Sequence, residues 1–317
     1  MTVLCSGSIA FDYLMTFPGH FKDHILQERL ETISLSFLVD SMVRQRGGTA
    51  PNIAYSMALL GDHPRVIGTV GEDFESYRSW LESHGVDTQY IKVIEGDYTA
   101  SFFVNTDLAN AQIASFYPGA MSFAKDLYIH DVQPKPDFVI ISPDDPGAMS
   151  RSVQECKDMG IDYLYDPSQQ IVRLCAEDLL AGVDGAHSLF VNEYENELLM
   201  KHTGLTEAQI MSKVKIWVIT CGNTGSIIRT KEGEIHVPIV PPEKIVDPTG
   251  VGDAFRAGFI RGYQLGLDLL TCGQMGALAA TYVIEQKGTQ SHHYTPETFI
   301  TRYRLHFDDQ GKLDILL

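Results

Sequence analysis

The residues best suited to chemistry in this chain lie in Asp247-Pro248-Thr249-Gly250-Val251-Gly252-Asp253-Ala254-Phe255-Arg256-Ala257-Gly258-Phe259. Two glycines, one residue apart, precede Asp253. Phe255, Phe259 and Tyr263 follow at i, i+4 and i+8, the spacing of one helix face. The pattern predicts a tight turn over Gly250–Gly252 that opens a helix. Glycine lets a backbone take positive φ and approach a ligand closely. The first N–H groups of a helix lack internal partners, and the macrodipole adds partial positive charge there, so such a turn can bind an anion. Asp253 adds a carboxylate at the edge, and the helix N-terminus is expected to lower its pKa. Gly250, Val251, Gly252 and Asp253 are therefore the catalytic candidates, in an arrangement suited to moving a phosphoryl group onto a hydroxyl. The plainer alternative is a glycine-rich loop capping a core helix.

Those residues need a scaffold. Val3 to Ile9 reads as a buried strand. Helices are expected from Pro51 to Leu60, Phe74 to His84, Pro146 to Met159, Glu193 to His202, Val251 to Leu265 and Leu269 to Glu285. Strands are expected at Arg65–Val70, Phe138–Ser142, Asp162–Asp166, His187–Asn192 and Ile216–Cys221. Strands alternating with helices imply βαβ units, a mainly parallel sheet and an α/β fold, with ligands at the carboxyl ends of the strands. Thr32–Phe37 alternates polar and apolar residues, as a half-buried strand does. Thr99–Thr106 and Gln112–Tyr117 also read as short strands. We assign these interruptions to a small β lid built from about 12–46 and 97–119, inserted into one domain spanning 1–317.

Further candidates fall at strand ends or loop starts. Gly47-Gly48-Thr49-Ala50-Pro51-Asn52 opens a helix. Asp12 follows the first strand, where a carboxylate can accept from two neighbouring hydroxyls, as on a ribose; the alternative is a solvated turn aspartate. Asn192-Glu193-Tyr194-Glu195 is either an N-capped helix start or an oxygen-donor edge for Mg²⁺, and both can hold. Thr220-Cys221-Gly222-Asn223-Thr224-Gly225 is a glycine-rich loop. Gln169 and Gln170 end a strand and could hydrogen-bond a base or a ribose, or simply belong to a polar loop. Phe102 and Phe116 could sandwich a purine or merely pack the lid. Arg46 and Arg173 are candidate supporting cations.

The strings around Asp253 and Asn52 resemble the two signatures of the ribokinase-like sugar and nucleoside kinases, in the expected order. The resemblance implies a three-layer αβα fold with a mainly parallel central sheet and a small β lid. It also implies a kinase using ATP and Mg²⁺, and K⁺ in some members. Gly7-Ser8-Ile9-Ala10-Phe11-Asp12, Leu35–Asp40, Gln112–Met121 and Asp166-Pro167-Ser168-Gln169-Gln170 further resemble the bacterial adenosine kinases of that family. By that resemblance Ser8, Asp12, Ser36, Gly47, Gly48 and Asn52 hold the ribose, Phe102 and Phe116 stack on adenine, and Gln169 and Gln170 face the nucleoside. Asn192, Thr220, Gly222 and Gly225 would hold ATP, Glu195 Mg²⁺ through water, and Asp247 the edge of a monovalent-cation loop. The implied reaction is transfer of the γ-phosphoryl group of ATP to the 5′-hydroxyl of adenosine. The alternatives are a ribose or fructose kinase and, more remotely, a non-catalytic nucleoside-binding protein.

Composition narrows the classes. The 317 residues carry 24 Lys and Arg against 41 Asp and Glu, a net charge of −17, with no basic cluster, which argues against nucleic acid or anionic membrane as a partner. No apolar run reaches membrane-spanning length. The absence of G-x-G-x-x-G after the first strand disfavours a dinucleotide oxidoreductase. Five cysteines without C-x-x-C read as buried thiols of a cytoplasmic protein. His292-His293 reads as a surface pair. Exposed lid edges could pair two copies into a homodimer.

Overall fold

The computed structural model describes residues 1–24 and 35–317. Nine strands form the large sheet: β1 (Val3–Ser6), β4 (Arg65–Val70), β5 (Asp87–Val93), β8 (Phe138–Ile141), β9 (Asp162–Tyr165), β10 (Ser188–Asn192), β11 (Ile216–Thr220), β12 (Ser226–Thr230) and β13 (Gly233–Val237). Their order is β13-β12-β11-β10-β9-β8-β1-β4-β5. The pairings from β5 to β11 are all parallel, and only the β11-β12-β13 end is antiparallel. The four strands β2 (Ala10–Thr16), β3 (Ser41–Gly47), β6 (Ala100–Thr106) and β7 (Gln112–Tyr117) form a separate sheet, in the order β3-β2-β6-β7.

The helices are α1 (Thr49–Leu59), α2 (Glu75–Ser83), α3 (Pro146–Met159), α4 (Ala176–Val183), α5 (Glu193–Thr203), α6 (Glu207–Lys213), α7 (Val251–Gln264), α8 (Leu269–Ile284) and α9 (Pro296–Tyr303). Alternation along the buried strands assigns them to layers. Cys5, Ile140, Leu164, Phe190 and Val218 share one core with Ile53 and Met57 of α1 and with Phe255 and Phe259 of α7. Their neighbours Leu4, Val139, Tyr163, Leu189 and Trp217 share the other with Met149 and Val153 of α3, Leu199 of α5 and Ile210 of α6. A strand buried on both faces is a near-continuous apolar run, as Val3–Cys5 and Phe138–Ile141 are. The result is the expected three-layer αβα fold with its lid sheet.

Local signals set the helix ends. The Asp145 side chain accepts from the N–H groups of Gly147 and Ala148, Pro146 occupies the first turn, and Gly160 ends α3 at φ 61°. Where the sequence offered weaker patterns, the structure adds elements. β5, the β12–β13 hairpin, α4, α6 and α9 were not anticipated. β5 and β13 each pair on one side only, so their residues escape the continuous burial that marks the inner strands. The strand expected over Thr32–Phe37 does not form in its described part. Thr32–Ser34 lie outside the described residues, and Leu35–Phe37 run without regular structure, with Phe37 packed edge-on to Phe17 and Phe21. His292 corrects the surface reading: it is 1% exposed, with Nε2 3.2 Å from Ser56 Oγ. Cys175 is exposed rather than buried, while the other four thiols are buried. No helix among the described residues is long and apolar enough to cross a membrane.

The chain leaves the large sheet twice to build the lid, after β1 and after β5, so lid and body face each other across the carboxyl ends of β1, β9, β10 and β11. The body side of that gap is fixed by α7, which crosses α8 at close range. An added Cβ at Gly258 would stand 2.6 Å from the Met275 carbonyl oxygen, and one at Gly276 would stand 2.8 Å from that of Phe255. Gly258→Ala must therefore push the two helices apart. It should cost about 2 kcal/mol and lower the Tm in a thermal melt by several degrees, roughly as expected for a chain of this size.

Candidate active site

Lid and body enclose a cleft of about 480 Å³. Of the candidate residues, it brings together Ser8, Asp12, Gly48, Asn52, Phe102, Phe116, Gln169, Asn192, Glu195, Thr220, Gly250, Gly252 and Asp253. A second, mainly apolar cavity of about 380 Å³ shares Thr220 and Gly252 with it and is lined by Gly222, Gly225, Val251, Ile239, Ile245 and Ala280, among others. The N-terminus of α7 stands between the two.

The backbone turn is narrower than the sequence suggested. Gly250 alone takes the left-handed conformation, at φ 80°, and caps α7; Gly252 already lies in the first helical turn. Gly48 caps α1 at φ 94°, and an added Cβ there would fall 2.4 Å from the Ser8 carbonyl oxygen, so only glycine fits. This contact brings the start of α1 against the β1–β2 connection and places Asn52 one turn inside. Asn52 Nδ2 donates to Asp253 Oδ2 at 2.9 Å, and Asn52 Oδ1 accepts from Gln290 Nε2 at 2.9 Å. Gln290 also donates to the Tyr77 hydroxyl, which donates to the Gly47 carbonyl oxygen. Gly47 itself lies against Asp12: an added Cβ would come within 2.6 Å of Oδ2.

The lid contributes a single row. Asp12 pairs with Gln45 on one side and Phe102 on the other, and Phe102 pairs with Phe116. Side chains opposite each other in register share a sheet face, so the carboxylate and both aromatic rings belong to the face over the cleft. Arg46 pairs with Phe11, one step out of phase, and its guanidinium lies 4.2 Å from the Trp80 ring behind the lid. Arg173 is exposed and does not line the cleft. Neither expected cation reaches the site.

Arg256 does. Its Nε lies 2.6 Å from Asp166 Oδ2, and Nη2 donates to Oδ1 at 2.6 Å, a two-pronged pair that is 8% and 1% exposed. Both residues stand within sequence motifs, but the motifs alone assign neither a role. The available signal was helical: Arg256 lies at i+3 from Asp253 and i+4 from Gly252, on the same side of α7. Gln290 and Tyr77 carried no such signal, because only folding brings them to Asn52.

The carboxylates are shifted by their surroundings. Burial pushes Asp253 up to about 6, against the pull of Arg256 and the Asn52 hydrogen bond. The expected lowering by the helix N-terminus is overridden, because this half-buried carboxylate loses more hydration than nearby dipoles return. Asp12 is also raised to about 6, by burial and then by the charges of Asp247 and Asp253. Burial raises Asp166 to about 7 even with Arg256 beside it.

Asn192 and Glu195 form the N-capped helix start of one reading of their motif. They form a capping box, Asn192 Oδ1 accepting from the Glu195 N–H and Glu195 Oε2 from the Asn192 N–H, each at 2.8 Å. Glu195 Oε1 accepts from Ser168 Oγ at 3.2 Å. Asp247 accepts from the N–H groups of Thr249 and Gly288, tying the loop before α7 to the loop after α8. Val251, Gly222 and Gly225 line the apolar cavity instead, and Ser36, Gly47, Gln170 and Asp247 line neither. Ser36 is exposed on the segment that Phe37 anchors against Phe17 and Phe21. Gln170 is buried beneath it with Oε1 unpartnered, while Gln169 faces the cavity.

Residues 15–296 match the pfkB family carbohydrate kinase. The chain is similar to a Burkholderia thailandensis nucleoside kinase solved with inosine, at 34% identity and a TM-score of 0.86, with 96% of this chain and 98% of that chain covered. A nucleoside kinase of Methanothermobacter thermautotrophicus is 32% identical over 298 residues, 92% of this chain and 91% of that protein. The solved nucleoside kinase of Methanocaldococcus jannaschii, an archaeal member of the ribokinase family, reaches a TM-score of 0.88 at 28% identity, covering 96% of this chain and 98% of that chain. With the family match running over residues 15–296, the chain belongs to the pfkB family of carbohydrate kinases.

Proposed function

We propose that the chain is an ATP-dependent nucleoside kinase that phosphorylates the 5′-hydroxyl of adenosine, giving AMP and ADP. The observation that carries this reading is the lid row: a ribose-binding carboxylate, Asp12, in register with two aromatic rings, Phe102 and Phe116, over a cleft floored by Asn52 and Asp253. A plain sugar needs the carboxylate but gains nothing from the rings. The similar nucleoside kinases support the same substrate class, and the one solved with inosine makes hypoxanthine the competing base. Gln169, whose amide both donates and accepts, faces the base side of the cleft and suits either purine.

In this reading the base of ATP occupies the apolar cavity, and its phosphates run past Thr220 to the N–H groups at the start of α7. The γ-phosphoryl group then lies between those amides and the nucleoside. Asp253 accepts the proton of the 5′-hydroxyl as the new O–P bond forms and the bond to the β-phosphate oxygen breaks, releasing ADP. A pKa near 6 makes Asp253 a better acceptor than an ordinary aspartate and leaves it ionised at neutral pH. A loose phosphoryl-transfer transition state needs proton removal only late, so position matters more than basicity. Among the described residues no group of three or more His, Cys, Asp or Glu side chains could hold a metal ion alone. The oxygen donors of Asn192 and Glu195 suit Mg²⁺, which keeps waters and phosphate oxygens as ligands. Glu195 and Asn192 would hold it through water, and it would neutralise charge on the phosphates.

Measuring ADP formation from Mg-ATP with adenosine, inosine, guanosine, cytidine, ribose and fructose tests the reading directly. Selective turnover of adenosine is expected; turnover of sugars alone would discard the role of the aromatic rings. Phe102→Ala should raise the nucleoside Kd by at least about fivefold, given roughly 1–3 kcal/mol per stacked base, and leave any ribose Kd within twofold.

Asp253→Asn should abolish nearly all turnover while nucleoside still binds. The same substitution should stabilise the unliganded protein at neutral pH. A raised pKa means that the contribution of Asp253 to stability is complete below about pH 4 and is lost as pH rises toward 6, so its ionised form is a burden above that. The gap in Tm between variant and wild type should open between those values and stay open at pH 7.5, with an upper bound of about 3 kcal/mol. An unchanged Tm across that range would show that Asp253 is well solvated.

A further inference from the structure

The cleft that must receive a polyphosphate is lined by three carboxylates, Asp12, Glu195 and Asp253, with Asp166 directly behind. Among the described residues Arg256 is its only lysine or arginine. That guanidinium is aimed. Nε and Nη2 face Asp166, leaving Nη1 as the free corner. Nη1 lies across Gly252, so close that a Cβ there would stand 2.6 Å from it, and Gly252 lines both the cleft and the apolar cavity. No hydrogen bond from Nη1 to another described residue is present. Gly252 has an ordinary helical conformation, so its lack of a side chain serves this close approach and not a turn. The pair itself is not accounted for by stability: a buried ion pair loses about as much hydration as it regains in attraction, and apolar residues of similar volume often do as well.

We propose that Arg256, aimed by Asp166, is the cation of the phosphoryl-transfer site, with Nη1 donating to the phosphoryl group in transit across the N-terminus of α7. This deepens the kinase reading and rests on it. Arg256 would touch the reacting group and is a catalytic residue in that sense. Asp166 acts through it and is a positioning residue. Two consequences follow. The planar fork is held side-on by Asp166, so a lysine carries the charge but not the aim. The guanidinium also helps hold Asp253 ionised, together with the Asn52 amide and against Asp12, Asp166 and Glu195, while Tyr77 stays neutral.

The test measures kcat, KM and the pH profile of wild type, Arg256→Met, Arg256→Lys and Asp166→Asn, using Mg-ATP and whichever acceptor the wild type phosphorylates. Acceptor Kd and a thermal melt are measured in parallel. Arg256→Met should lower kcat by at least about 100-fold, the range for losing one charge-stabilising donor, with acceptor Kd within threefold. Its acid limb should move to higher pH. Arg256→Lys should recover only part of kcat and restore the limb, and Asp166→Asn should lower kcat about tenfold or more while acceptor Kd holds. Arg256→Met within fivefold of wild-type kcat would overturn the proposal. If that variant does not fold, Arg256→Lys or Asp166→Asn at wild-type kcat overturns it equally. A kcat loss with an unmoved acid limb and a weakened acceptor Kd would reduce Arg256 to a packing role. A wild type that phosphorylates no acceptor overturns the kinase reading itself, whatever the variants do.

Discussion

A half-buried carboxylate at the start of a helix gives up much of its hydration and is costly to hold, and much of this molecule is arranged around it. Asp253 sits where α7 begins, and its hydration is replaced by only a few groups: the amide of Asn52, the nearby guanidinium of Arg256 and the field of the helix end. Each comes with its own supports. Asn52 is held by Gln290, Gln290 by Tyr77, and Tyr77 by the backbone of Gly47. Arg256 is held by Asp166 at the end of β9. The compensation is incomplete, as the upward shift of Asp253 shows. Functional sites commonly carry such unrelieved cost, and the surrounding core must be sound enough to tolerate it.

That core supplies the tolerance. The two layers packed on the sheet are separate apolar clusters, one under α1 and α7 and one under α3, α5 and α6. The site lies at the rim of the first, and the close crossing of α7 and α8 fixes the axis along which the N–H groups of α7 point. The position of the N-terminus of α7 is thus set by backbone contact between glycines and carbonyl groups well inside the molecule. Electrostatics at the cleft and packing far below it meet in one helix.

Much of this architecture was legible in the sequence because its signals were local. The inner strands are continuous apolar runs, and the limits of α3 follow from Asp145, Pro146 and Gly160 within a residue. Gly48, Asn52 and Asp253 could be picked out by motif. The missing parts had other causes. Edge strands such as β5 bury few residues, here Thr88 and Ile91 at no regular period. Gln290 and Tyr77 matter only through partners more than 200 residues away or on another helix. The direction of the Asp253 shift was misread because a motif shows the helix dipole but not the depth of burial. Arg46 and Arg173 stand near site residues in sequence, yet the β3 register turns Arg46 to the back of the lid.

The register of the lid has a further consequence. Asp12, Phe102 and Phe116 come from three strands, yet their spacing is fixed by backbone ladders and not by the loops between them. The reverse face carries its own stacked pair, Tyr13 and Phe103, with ring centroids 4.7 Å apart. Sliding any one strand by a single residue would exchange the two faces, so insertions within these strands are closed to variation, whereas substitutions along the row are open. In the proposed reading, sugar recognition and base recognition are thereby mounted on one plate as separate positions. A lineage with this lid would then be able to change the base it accepts at 102 or 116 without retuning its grip on a ribose at 12.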